Sequence, residues 1–170
     1  MPKCGSIKET TKLKIQIMQK GNYAKFGLMM LVSFIVMYGI MFLNADKFEY
    51  VMLSTMRTYM TLLMITAMAV IMLLFMLGMY KNKTLNAIIL VVSIVGFGSV
   101  YYMMRTQTGI SDIQYMKGMI PHHASAILTS QEANLKDPET KELAKEIIAA
   151  QKREIAQMKK IIYRLENEEE

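Results

Sequence analysis

"TYMTLLMITAMAVIMLLFMLGMY", residues 58–80, runs for 23 positions without a charge. A helix needs about 20 apolar residues to cross a hydrocarbon core of about 30 Å. This stretch is long enough, so it reads as a membrane span. Two more stretches of the same kind flank it: "FGLMMLVSFIVMYGIMFL" at residues 26–43 and "TLNAIILVVSIVGFGSVYYMM" at residues 84–104. A cleavable signal peptide would have a shorter apolar stretch and a small-residue cleavage site. The expected fold class is therefore an all-α membrane protein with three transmembrane helices.

The remaining residues divide around these spans. Residues 1–25 form a basic N-terminal segment, 26–104 the membrane region, and 105–170 a polar helical domain. Up to residue 104, Lys and Arg exceed Asp and Glu by seven; from 105 on, acidic residues exceed basic ones by one. The pI of about 9.3 thus comes from lysines beside apolar spans, and membrane orientation explains it better than nucleic-acid binding does. The single cysteine, Cys4, excludes an internal disulfide. No apolar signal region precedes "MPKCG", so a lipidated N-terminus is not expected. Ser6 and Glu9 match a capping box, S-x-x-E, so the basic segment reads either as a short helix or as a solvated tail.

Lysines set the expected orientation. Lys3, Lys8, Lys12, Lys14, Lys20 and Lys25 precede the first span, and Lys81 and Lys83 lie between the second and third. The loop at residues 44–57 is close to neutral. Positive flanks stay in the cytoplasm. The N-terminus is then expected inside, the 44–57 loop outside, and everything after Met104 outside. In a bacterial inner membrane that places the C-terminal domain in the periplasm or at the cell exterior.

That domain reads as a helical hairpin. Ser111 caps a first helix, with Gln114 three residues on, and this helix continues to about Leu135. Asp137 is a good N-cap and Pro138 fits the first position of a second helix. Its apolar stripe runs through Leu143 or Ala144, Ile147/Ile148, Ile155, Met158, Ile161/Ile162 and Leu165. Two helices alone bury too little to be stable. A homodimer joining two hairpins into a four-helix bundle is expected; packing of the hairpin on its own third span is the alternative. Pro121 lacks an N–H for the Lys117 carbonyl, so a kink or break in the first helix is expected near Gly118 and Pro121.

The only histidines, His122 and His123, stand together in "MKGMIPHHAS", residues 116–125. Helix geometry puts Met119 one turn below them, between the two rings in angle, with Met116 on the same stripe. The four side chains are expected to converge. On the second helix Gln151, Glu154, Ile155 and Met158 share a face. Met158 would complete a ligand shell, and Gln151 or Glu154 would orient an imidazole from outside it. Thioether sulfur favours Cu(I), zinc sites rarely use Met, and no Glu lies three before either histidine as a di-iron bundle requires. The residues alone leave a copper site open beside an interface of stacked histidines or a pH-responsive contact.

"MKGMIPHHASAILTSQEA" together with "AKEIIAAQKREIAQMKKII" resembles the CopM-like domain-of-unknown-function family of bacterial copper-binding proteins. The resembling features are M-I-P-H-H and then Q-x-x-E-I-x-x-M, here Gln151, Glu154, Ile155 and Met158, over about residues 105–165. The resemblance implies a ferritin-like bundle outside the cytoplasmic membrane that holds copper or silver in resistance or homeostasis. It implies Met119, His122, His123 and Met158 as ligands, with Met116 as a further one. This chain departs from soluble members by holding half of their bundle and by carrying three spans.

The second span also carries a methionine row: Met52, Met56, Met60, Met64, Met68, Met72 and Met76 recur every four residues, followed by Met79. Methionine is an ordinary flexible filler of apolar surfaces. The row also resembles the Met-x-x-x-Met of Ctr-type copper channels, although Gly96 and Gly98 are two apart where those channels have G-x-x-x-G. Three functions are thus expected in order: a membrane-anchored Cu(I)-binding protein, a copper transporter using the row, or a metal-free scaffold. No nucleophile–base pair stands out, so no enzymatic activity is expected.

Overall fold

The computed structural model describes residues 4–168, with side chains from residue 21 onward. Five helices follow one another: α1 Cys4–Ile40, α2 Thr55–Phe75, α3 Lys83–Thr106, α4 Asp112–Glu132 and α5 Pro138–Glu168. A single 3-10 turn, Phe48–Tyr50, lies between α1 and α2. Among the described residues there is no strand. Gly21–Ile40, Thr55–Phe75 and Lys83–Thr106 are long and apolar enough to cross a membrane. The side chains of Cys4, Ser6 and Glu9, and with them the expected capping box, lie outside the described residues.

The span boundaries move by a few residues for local reasons. Helix α1 runs unbroken from Cys4 into the first apolar span and ends at Ile40. Helix α2 stops at Phe75 because residues 76–80 tighten into a turn: Met79 N–H bonds the Met76 carbonyl at 2.9 Å, and Tyr80 N–H reaches the same carbonyl at 3.3 Å. Helix α3 ends in a turn with Gln107 and Gly109 at positive φ, 53° and 72°.

The chain divides into two compact units, each assembled from separated stretches. Unit 1 takes residues 1–36 and 61–102. Its buried cluster is Phe26, Ala69, Leu73 and Tyr80. Tyr80 meets the rings of Tyr23 and Phe26 at centroid distances of 5.1 and 5.7 Å. The Tyr23 hydroxyl donates to Asn86 Oδ1 at 2.7 Å, and the Asn86 amide donates to the Tyr80 carbonyl at 2.6 Å. Gly96 lies against Thr66; a Cβ there would sit 3.6 Å from Thr66 Cγ2.

Unit 2 takes residues 37–60 and 103–170. Its core is the seam between α4 and α5: Met116, Ile120, Ala124, Ile127, Ile155 and Ile162. Ala45, Tyr50 and Met52 pack on that seam from the segment before α2. The hairpin's partner is therefore, in part, a loop of its own chain. Polar contacts hold this loop in place. Asn44 Nδ2 donates to Ser125 Oγ at 3.0 Å, Lys159 pairs with Glu49 at 3.6 Å, and the Lys159 ammonium lies 4.5 Å from the Tyr50 ring centroid. Burial, and then the neighbouring Glu49, push the Tyr50 hydroxyl above its ordinary pKa.

Capping of α5 follows the sequence expectation: the Asp137 carboxylate accepts from Thr140 N–H at 2.7 Å and Thr140 Oγ1 at 2.8 Å. Capping of α4 follows it only by half. Ser111 Oγ accepts the Gln114 N–H at 3.3 Å, but the Gln114 side chain turns away. Its amide oxygen accepts from Thr55 N–H and Thr55 Oγ1 at 3.1 and 3.0 Å, tying α4 to the start of α2. Helix α4 runs through Pro121 without a break. The lost hydrogen bond is one of many, and Pro121 is buried in the packed middle of the helix, between Ile120 and His123.

Candidate metal centre

Helix α4 presents its two histidines to different surroundings. His123 is buried at 8% exposure, while His122 is exposed. Their ring centroids are 6.0 Å apart with planes inclined at 68°. In this structure each lines its own cavity. Consecutive residues on a helix are about 100° apart, and here α5 takes up one direction while residues 41–60 take up the other.

The first cavity, about 560 Å³, lies between α4 and α5. Met116, Met119, His123, Glu154 and Met158 all line it, together with Gln157 and Arg164. Met116 is buried, while Met119 and Met158 are half-buried. Gln151 is half-buried on α5 and lines neither this cavity nor the second.

His123 is held at both nitrogens. Nδ1 lies 2.9 Å from the Met119 carbonyl, and Nε2 lies 2.6 Å from Glu154 Oε2. A carbonyl can only accept, so Nδ1 carries a proton. The Nε2 contact is met either by a ring proton donated to the carboxylate or by a carboxyl proton donated to the ring. Both ring nitrogens are thus engaged within the protein. Glu154 is 53% exposed at its side chain and can swing outward.

The second cavity, about 430 Å³, lies on the opposite side of the proline turn. It is lined by His122, Met119, Met41, Met56 and Met60, with Arg57, Ser54 and Ser125. Only Met119 among the thioethers belongs to both cavities. No spacing rule in the sequence joins Met41 to the histidines.

The methionine row is not a buried element. Met56, Met68, Met72 and Met76 are half-buried, and Met60 and Met64 are exposed at 44% and 39%. Met72 and Met76 pack beside the core of unit 1, and Met52 beside the core of unit 2. The fully covered residues of α2 are instead Thr61 and Leu73. Among the described residues, no group of three or more His, Cys, Asp or Glu comes together to hold a metal.

Two comparisons bear on this geometry. Residues 102–169 match the family described as "Domain of unknown function (DUF305)". The chain is also similar to "Uncharacterized protein L153" of Acanthamoeba polyphaga mimivirus, at 37% identity over 147 residues, covering 83% of this chain and 93% of the relative. No solved structure matches. A viral relative lies outside the bacterial setting that the sequence resemblance implied, and the three apolar helices alone do not name the membrane.

Proposed function

The chain belongs to the family of the mimivirus protein and carries the DUF305 domain at residues 102–169, and on that premise we propose that it is a membrane-anchored binder of a soft metal ion, Cu(I) or Ag(I), and not an enzyme. The observation that carries this reading is the gathering of Met116, Met119, Met158 and His123 around one cavity between α4 and α5. Three thioethers and one imidazole suit a soft monovalent ion and suit zinc or calcium poorly. His123 would hold the ion through Nε2, the nitrogen that faces the exposed Glu154 carboxylate, and Met116, Met119 and Met158 would supply thioethers beside it. Glu154 thus orients the ring before capture, while the Met119 carbonyl holds Nδ1 throughout.

The lysine distribution supports a topology in which the N-terminus and the Lys81–Lys83 loop face the cytoplasm and the hairpin faces the opposite side. Metal homeostasis or resistance on that side is the role that fits. The homodimer is a separate part of the proposal, since Ala45, Tyr50 and Met52 already cover part of the seam that called for it. Its size in detergent by light scattering decides it.

One observation favours a second reading. His123, with both nitrogens satisfied, also serves as a metal-free latch between α4 and α5. Competition of the full-length protein with a chromogenic Cu(I) chelator separates the two. Under the metal reading, Met116→Leu with Met158→Leu weakens Cu(I) binding at this cavity by at least tenfold. Binding unchanged from wild type in that variant and in His123→Ala leaves only the latch.

A further inference from the structure

His122 is the histidine that the first cavity leaves out, and it is the better placed of the two to ligate. Among the described residues no group hydrogen-bonds its ring; its one ring contact is the inclined face of His123. It opens on a cavity whose lining includes Met41, Met56, Met60 and Met119. We propose that His122 and these four methionines form a second site for a soft monovalent ion, Cu(I) or Ag(I), distinct from the cavity between α4 and α5.

The donor chemistry is selective. The lining holds no carboxylate and no thiol, so hard divalent cations find no anionic oxygen and zinc finds no thiolate. Neutral thioethers and one imidazole are donors for a soft ion of single charge. Arg57 is the one cation in the lining. Its guanidinium donates to the Met41 carbonyl and lies 4.4 Å from the centroid of the Phe42 ring, so it positions the Met41 segment.

The packing brings these residues together from three stretches of sequence. Met56 and Met60 are one turn apart on α2, and Met119 lies three residues before His122 on α4, so each pair shares a face. The two helices meet at Gly118, where a Cβ would sit in ordinary contact, 3.9 Å from the Met56 Cβ and 3.7 Å from Ser54. The Thr55–Gln114 and Asn44–Ser125 bonds close the same wall. Methionine has three rotatable side-chain bonds, which lets the sulfurs converge without backbone movement. The shared Met119 makes it a stepping point between the two sites.

The proposal extends the soft-metal reading of the first cavity but is tested apart from it. The full-length protein in detergent micelles is titrated with Ag(I), and the bound equivalents are counted after desalting. With Cys4→Ser in every sample, to remove the thiol that would take an Ag(I) of its own, the otherwise wild-type protein is expected to hold two. Met56→Leu with Met60→Leu removes one, and the exposed His122→Ala removes the same one with no loss of fold. Met116→Leu with Met158→Leu removes the other. An unchanged count in both the Met56/Met60 and the His122 variants overturns the second site. A count lowered by these but untouched by Met116→Leu with Met158→Leu keeps the second site and overturns the first reading alone.

Discussion

Unit 2 and unit 1 bury their apolar residues by different rules. In unit 2 the amphipathic helices α4 and α5 hide one seam, where Ile120, Ala124 and Ile127 reach 0% exposure. In unit 1 the apolar residues of α1 and α3 are mostly outward: Leu31, Val36, Val92 and Val95 are each at least half exposed. Only 6%, 22% and 6% of the three span windows are buried. A stripe reports packing when the surroundings are water. When they are lipid, apolarity on all sides reports the solvent instead. The methionine row on α2 shows the consequence: its four-residue period does not pick out the buried face.

The largest expected effect tests this contrast directly. Ile127→Ala empties a fully covered site and is expected to cost about 2–5 kcal/mol. Val92→Ala, on an outward face, should stay within about 0.5 kcal/mol. Denaturant titration of the full chain in micelles, followed by circular dichroism, measures both. Similar losses for the two would break the distinction.

Next in size is the polar knot of unit 1. Tyr23→Phe deletes the hydroxyl that donates to Asn86 and is expected to cost about 1 kcal/mol. No measurable loss would mean that this contact adds little to the apolar packing of Phe26, Leu73 and Tyr80 around it.

Smaller again is Glu154→Gln, which removes the charge facing His123 Nε2. With Glu154 half in solvent, the expected loss is about 0.5 kcal/mol. A loss several times larger would make the His123 contact a main support of the hairpin.

The smallest effect is at the α5 cap, and it depends on pH. Hydrogen bonds from Thr140 hold the Asp137 carboxyl below its ordinary pKa. The cap's contribution is complete above the unfolded value of about 3.9 and is lost as pH falls through the lower folded value. Asp137→Asn should flatten that acid limb of the stability curve while leaving neutral pH nearly unchanged.

Much of this was legible from the chain alone. Uncharged runs of about 20 residues specify spans because backbone polar groups in lipid must be satisfied within a helix. Asp137 and Pro138 announced α5 because capping acts over three residues, within one turn. The presence of Met116, Met119, Met158 and His123 on facing stripes followed from the 3.6-residue period.

What the tertiary structure alone decided was which of these groups share a cavity. Residues 45–52 have no periodic pattern, yet they cover the hairpin seam through Ala45, Tyr50 and Met52. Gln114 looked like a partner for Ser111, but Thr55 offered two donors instead. Met41 joins His122 across about 80 residues of chain, a distance over which no local rule operates. Adjacent histidines diverge by about 100° on a helix, and only the neighbours on either side determine what each one meets.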